Sequence, residues 1–190
     1  MANANNGGAF PEFQIEGATP EEENQLIMVL CYLPKSHRKT VKQLIIISQA
    51  ELESYIDRLR TLAGFIRGPS QAAVLIREKS KDELVYNAIH EIGHLVWYYF
   101  LTDDERQDFL DVIEWVRGDE RAAITLYAET EFEEHFAEAY ANYVLKGSRL
   151  RNKEPGVYRW LKSWVFHGEH YLFLEKKLKN THTSLKTCKE

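Results

Sequence analysis

HEIGH, residues 90 to 94, is the stretch of sequence that decides the fold. It lies within an apolar-periodic segment, residues 81 to 101, that predicts a long helix. Residues four apart are separated by about 40° around a helix axis, so His90 and His94 project from one face and can chelate a cation. Glu91 lies about 100° from His90 and can reach a water bound to that cation. The stretch therefore predicts a central metal-binding helix with Glu91 as a general base.

Gly93 stands between the two histidines, where glycine costs about 1 kcal/mol relative to alanine in a helix interior. A close neighbour, either another backbone or a bound substrate, would explain this glycine. The rest of the helix carries a broad apolar stripe, which predicts burial on most sides. The stripe consists of Val85, Ala88, Ile89, Ile92, Leu95, Val96 and Tyr99.

Two histidines are too few for a catalytic zinc, which takes three protein ligands and keeps one open position. A third histidine six residues after His94 is excluded, because Phe100 stands there. The segment AETEFEEHFAEAYANYVL supplies glutamates, of which Glu134 and Glu138, at i and i+4, suit a ligand and a carboxylate that orients a histidine ring. An acidic helix is equally well explained as a solvated face. The residues alone leave both explanations open, and His135 remains a further candidate to test.

The spacing of these motifs resembles that of the anthrax lethal factor-type gluzincins, which include the secreted clostridial Pro-Pro endopeptidases. The shared pattern is HExxH, then Tyr127, then the segment EHFAEAY at residues 134 to 140, and the resemblance covers roughly residues 72 to 164. It implies that Glu134 is the third zinc ligand. It also implies that Glu138 does not bind the zinc itself but orients one of the residues that do. It also implies that Tyr127 donates its hydroxyl to the oxyanion of a tetrahedral intermediate.

The chain departs from that family in two places. His135 replaces the usual first aromatic residue of the segment. The loop at residues 68 to 71 lacks the longer tryptophan-bearing insertion of the Pro-Pro enzymes, so the resemblance does not extend to their proline specificity.

The predicted fold class is α+β and zincin-like, with a small mixed sheet, a central HExxH helix and an all-helical C-terminal half. We expect a disordered lead (residues 1–18), one domain (19–180) and a tail (181–190). The domain divides into an α/β half (19–101) and a helical half (102–180). Strands are expected at 41–48, 65–67 and 72–78. Helices are expected at 20–33, 48–63, 81–101, 102–117, 130–146, 155–168 and 170–180.

Composition excludes several classes of protein. The net charge is −5, which argues against a nucleic-acid partner. No apolar run approaches the roughly 20 residues of a membrane span. The N-terminus does not read as a signal peptide, so the chain is expected to be cytoplasmic or exported by another route. Cys31 and Cys188 lie far apart in sequence and are expected to remain unpaired.

The predicted function is that of a zinc-dependent endopeptidase with one Zn²⁺ per chain. Its substrate is expected to be an extended peptide aligned antiparallel to the strand from Ala72 to Glu78. Glu91 takes a proton from the attacking water and passes it to the leaving amine. Two alternatives remain: a repressor-cleaving HExxH metallopeptidase of another family, whose helix pattern fits with a one-residue slip, and a catalytically silent zinc-binding module.

Overall fold

The computed structural model describes residues 13–48, 51, 71–76, 81–117 and 132–171. These residues form an α/β structure that is mostly helical, with a small three-stranded sheet in the N-terminal part and only helices after residue 81. In chain order the elements are β1 (Gln14–Glu16), α1 (Pro20–Leu30), α2 (Lys35–Arg38), β2 (Gln43–Ile47), β3 (Ala72–Ile76), α3 (Lys81–Tyr99), α4 (Asp103–Arg117), α5 (Phe132–Leu145), α6 (Gly147–Lys153) and α7 (Pro155–Trp160), followed by a π-helical turn (Leu161–Val165).

The sheet has the order β1-β2-β3, and both pairs of strands are parallel. Gln43 of β2 lies opposite Gln14 on one side and Ala72 on the other. The sequence predicted a mixed sheet, and among the described strands the pairing is parallel throughout. β3 lies at one edge of this described sheet and packs against α3, which carries the HEIGH stretch.

The end of the predicted disordered lead is ordered, so that prediction is wrong for residues 13 to 18. β1 pairs with β2, and the Phe13 side chain is buried in the core at 7% exposure. Gly17 then turns the chain away with φ +76°, and a Cβ there would lie 2.1 Å from the carbonyl oxygen of Ile46. Only glycine accepts that backbone conformation in so close an approach. A three-residue strand is too short for its periodicity to be recognised in the sequence.

Three predicted helix starts carry reciprocal capping boxes. Thr19 and Glu22 cap α1, and the backbone N–H of each residue donates to a side-chain oxygen of the other. Thr102 and Glu105 do the same at α4. Ser48 and Glu51 form a third box at the predicted start of the next helix. Each box satisfies two backbone donors that a helix N-terminus otherwise leaves exposed.

The C-terminal helices are more broken than predicted. The helix predicted at 130–146 was expected to end at Lys146, with Gly147 outside it. In the structure α5 ends at Leu145, and the buried Gly147 begins the short helix α6. Lys146 itself has φ −138° and ψ 40°, which is not helical and separates α5 from α6. Pro155 begins α7 as predicted, and the helix continues as a π-helical turn over Leu161–Val165.

Several predictions fall outside the described residues. They are the lead before residue 13, most of the helix at 48–63, the strand at 65–67, the end of the strand at 72–78, nearly all of the helix at 170–180, and the tail. Among the described helices, none is long and apolar enough to cross a membrane.

Cys31 follows α1 directly and is disulfide-bonded, with its partner outside the described residues. The expectation that this cysteine stays unpaired is therefore wrong. Separation along the sequence does not limit proximity in space, and the spacing of two cysteines alone does not decide whether they meet.

The core next to α3 is rich in aromatic rings and includes the buried His37. Its ring is fully buried between Phe100 and Phe166, and its Nδ1 lies 2.9 Å from the Tyr140 hydroxyl. Burial lowers the pKa of His37 from 6.5 to about 4, although contact with the Val165 backbone opposes this shift.

We predict that His37 makes the protein less stable as the pH falls from 6.5 to 4. In that window the unfolded chain binds a proton at this histidine and the folded chain does not, so the free energy of unfolding drops by about 3 kcal/mol. Urea denaturation at several pH values gives the free energy of unfolding of the wild type and of His37→Gln. The slope of this free energy against pH should be smaller in the variant. The exposed His170→Gln variant should keep the wild-type slope, and an equal slope in all three proteins would contradict the assignment.

Candidate metal centre

The site is built where helix α3 crosses helix α5 at very short range. A Cβ added to Gly93 would lie 2.8 Å from the Cα of Ala137, a distance that real Cβ atoms do not reach. The expected close neighbour of Gly93 is therefore the backbone of α5. This approach brings the side chains that flank Gly93 on α3 within reach of the glutamates that flank Ala137 on α5.

Three side chains converge across this contact. The Nε2 atoms of His90 and His94 lie 3.2 Å apart, and each is 3.3 Å from Oε2 of Glu134. Both histidines are buried at 8% and 7% exposure, while Glu134 is partly exposed. The three residues form a group that can hold a metal ion.

The dimensions of this triangle fit a small tetrahedral cation. A tetrahedron with metal–ligand distances of about 2.0 to 2.1 Å has edges of about 3.3 to 3.4 Å. The three measured edges, 3.2, 3.3 and 3.3 Å, match one face of that figure. Calcium takes six to eight oxygen ligands at about 2.4 Å and suits neither the distances nor the imidazoles. The group thus leaves a fourth position for a water or a substrate atom.

The protonation of His90 also favours a cation at the centre of the triangle. Nδ1 of His90 lies 3.2 Å from Oε1 of the buried Glu138, which favours the tautomer that carries the proton on Nδ1. Nε2 then presents a lone pair toward Nε2 of His94 and the Glu134 carboxylate. A positive charge between these groups, either a cation or an added proton, removes the repulsion. A metal ion held by histidines with such a carboxylate partner is a common arrangement in proteins.

Glu138 is itself held in place by a small hydrogen-bond network. The Tyr86 hydroxyl donates to Oε2 of Glu138 at 2.8 Å, and Asn142 donates to the Tyr86 oxygen at 2.7 Å. Asn142 also donates to the Glu138 carbonyl at 2.9 Å. Both carboxylate oxygens of Glu138 therefore have a contact, Oε1 with His90 and Oε2 with Tyr86. Through the first of these contacts, a residue of α5 orients the His90 ring on α3.

Glu91 lines an open cleft next to the triad. The cleft measures about 530 Å³ and is lined by Tyr86, Asn87, His90, Glu91, Glu138, Lys146 and Arg149. Burial raises the pKa of Glu91 to about 7; His90 opposes the shift and the Glu134 charge adds to it. Burial alone lowers the pKa of His90, but the Glu138 hydrogen bond and the charges of Glu91, Glu138 and Glu134 outweigh it and raise this pKa.

His135 was a further candidate ligand, and the structure places it elsewhere. Its Nε2 lies 2.7 Å from Oε2 of Glu154, and the two side chains are 1% and 0% exposed. This buried pair ties α5 to the residue that precedes α7. His135 therefore pairs with Glu154 and is not part of the triad, and its position one residue after Glu134 places it about 100° further around the helix.

The structure brings together five of the six predicted site residues: His90, Glu91, His94, Glu134 and Glu138. The sixth, Tyr127, lies outside the described residues. Tyr86 and Asn142 were not predicted. Tyr86 precedes His90 by four residues and so shares its helix face, which was the only available signal.

Comparison with models of known protein families, with curated protein sequences and with solved structures returned no match.

We predict that Gly93→Ala destabilises the protein by about 1 to 3 kcal/mol, because the new methyl group forces α3 and α5 apart. Urea denaturation measures the loss. The Gly93→Ala/Ala137→Gly double variant should not recover it, because the closest atom is the Cα of residue 137 and not its Cβ. An unchanged or higher stability of Gly93→Ala would contradict the close approach.

We predict that Glu138→Ala weakens zinc affinity about 10- to 100-fold, because the His90 ring loses the acceptor that orients it. Tyr86→Phe should have a smaller effect in the same direction, since it removes one hydrogen bond from Glu138. Competition with a chromophoric chelator measures both affinities. Equal affinity in Glu138→Ala and the wild type would show that Glu138 does not support the ligand.

Proposed function

We propose that this chain is a zinc-dependent endopeptidase of the gluzincin type, with a zincin-like arrangement of its helices. The observation that carries the proposal is the triangle of His90, His94 and Glu134, with edges of 3.2 to 3.3 Å, beside the carboxylate of Glu91 in an open cleft. A purely structural zinc site is closed by four protein ligands, whereas a catalytic site keeps one position open.

Zinc is the metal that the donor set favours, since two imidazoles and one carboxylate at tetrahedral spacing are a known catalytic combination. A zinc ion bound there supplies Lewis acidity, which polarises a carbonyl and lowers the pKa of a water in the open position to about 7. Proton transfer and the orientation of the ligands are the proposed roles of the protein's own side chains.

Glu91 is the proposed general base. Its carboxylate accepts a proton from the attacking water and passes it to the leaving amine as the peptide bond breaks. Glu138 keeps the His90 ring in orientation through the contact at Nδ1. Tyr127 is proposed, on the resemblance to lethal factor-type enzymes alone, to donate its hydroxyl to the oxyanion.

The substrate is proposed to bind as an extended peptide along β3, antiparallel to it. β3 lies at an edge of the described sheet and packs against α3, so it runs beside the helix that carries the site. An edge strand offers backbone donors and acceptors at alternate residues, which a peptide of many sequences can satisfy.

Two other functions use the same residues. A repressor-cleaving metallopeptidase of another family would keep the triad and Glu91 but would not need Tyr127 near the metal. A silent zinc-binding module would need no base in the cleft. The burial and position of Glu91 favour an enzyme over the silent module.

A random peptide library tests the proposal. We expect the zinc-loaded full chain to cleave a subset of peptides, the metal-stripped chain to cleave none, and added zinc to restore cleavage. Tyr127→Phe should retain zinc and cleave more slowly. A zinc-loaded protein that cleaves no peptide would reject the endopeptidase function and leave the silent module.

A further inference from the structure

A pair of basic side chains lines the cleft that borders the candidate metal centre at His90. Lys146 and Arg149 line it together with Glu91, His90 and Glu138. Lys146 forms the non-helical break between α5 and α6, and Arg149 lies three residues later in the first turn of α6.

The Lys146 ammonium is directed into the cleft. Its Nζ lies 4.3 Å from the centre of the Tyr86 ring, on which it packs as a cation on an aromatic face. In the part of the chain that the structure describes, Lys146 forms no ion pair with a carboxylate. Burial raises the pKa of the Tyr86 hydroxyl, and the positive charge of Arg149 opposes that rise. Two positive charges therefore border the same ring.

Glu138 lines the same cleft as these cations, and both of its carboxylate oxygens already contact other side chains. Oε1 of Glu138 contacts Nδ1 of His90 at 3.2 Å, and Oε2 accepts from the Tyr86 hydroxyl at 2.8 Å. Lys146, Tyr86, Glu138 and His90 thus form a continuous row of contacts that ends at Nδ1 of His90, the ring nitrogen that does not face the ligand triangle. The cleft is lined by Glu91 as well as by the two cations, so a substrate group that enters it beside Glu91 shares one cavity with Lys146 and Arg149.

We propose that Lys146 and Arg149 form a subsite for a substrate carboxylate close to the scissile bond, either an Asp or Glu side chain or a free C-terminus. This inference rests on the proposed peptidase function and adds the substrate class. An ammonium and a guanidinium three residues apart offer a carboxylate several donors, and the planar guanidinium can bind both of its oxygens.

Binding of peptide hydroxamates to the zinc-loaded full chain tests the subsite without requiring turnover. The probes are short peptides that differ only in Asp or Asn near the hydroxamate, and each is made with a free or an amidated end. We expect the carboxylate-bearing member of a pair to bind about fivefold more tightly than its amide, as for a partly exposed ion pair. The two arms show whether the side chain or the chain end is recognised.

Charge reversal assigns the preference to its residues. Lys146→Glu and Arg149→Glu should each abolish or invert the fivefold preference, while Lys153→Glu, an exposed residue of α6 outside the cleft lining, should keep it. Zinc content, measured on every variant, should stay at the wild-type value.

The outcomes separate the two proposals. Equal binding of all probes to the wild type, or a preference that survives both reversals, would overturn the subsite even if the library is cleaved. A charge preference without cleavage of any library peptide would uphold the subsite and reject the peptidase. A chain that binds no zinc would overturn both.

Discussion

Replacement of Glu134 by alanine is expected to remove zinc from the protein. Glu134 supplies one corner of the ligand triangle, and without it two histidines and water remain to hold the ion. The loss of affinity should exceed the roughly 100-fold upper range seen when a supporting partner is removed. Chelator competition on the purified full chain measures it.

Glu133→Ala is the matched control for this loss. Glu133 is adjacent on the same helix, but its Oε1 accepts from the Tyr98 hydroxyl at 2.9 Å instead of facing the histidines. Its variant should bind zinc with wild-type affinity. Full zinc occupancy in Glu134→Ala, or an equal loss of zinc affinity in both variants, would show that Glu134 is not the third ligand.

The second large effect is expected from Glu91→Gln. Glutamine keeps the shape of the side chain but cannot accept a proton from the attacking water. Removing a positioned general base typically costs 10²- to 10⁴-fold in rate, so we expect kcat to fall by about that much. Zinc should remain bound, because Glu91 does not belong to the triangle.

Turnover of a peptide selected from the library, with zinc content measured on the same samples, checks this prediction. Glu83→Gln provides the control: it makes the same chemical change on an exposed part of the same helix. Wild-type turnover in Glu91→Gln would remove the residue from the catalytic role.

The sequence predicted helix α3 closely because the information for a helix is local. The apolar period and the four-residue spacing of the histidines fixed α3 to within two residues of its end. The capping boxes at Thr19 and Thr102 were equally readable, since each depends on residues three apart.

The position of Glu134 and Glu138 depended on long-range packing and was not decided by residue patterns alone. A solvated acidic helix and a buried one have similar sequences here. The structure decides for the buried helix, because all residues from His135 to Leu145 are buried, including Glu138 at 6% exposure. Phe132, the first residue of this helix, is 37% exposed.

Other features left no recognisable pattern in the sequence. β1 is three residues long, and its parallel pairing arises from contacts with a distant strand. Tyr86 and Asn142 are common residue types, and their role follows only from the contacts of Tyr86 on α3 with Glu138 and Asn142 on α5. A hydrogen-bond network of this kind is visible only after the helices are packed.

Anomalous diffraction at the zinc absorption edge, on crystals of the zinc-loaded full chain, tests the three-ligand metal centre most directly. We predict one strong peak at about 2.0 to 2.2 Å from Nε2 of His90, Nε2 of His94 and a carboxylate oxygen of Glu134. A peak at other residues, or no peak in a crystal whose protein was zinc-loaded, would contradict the account.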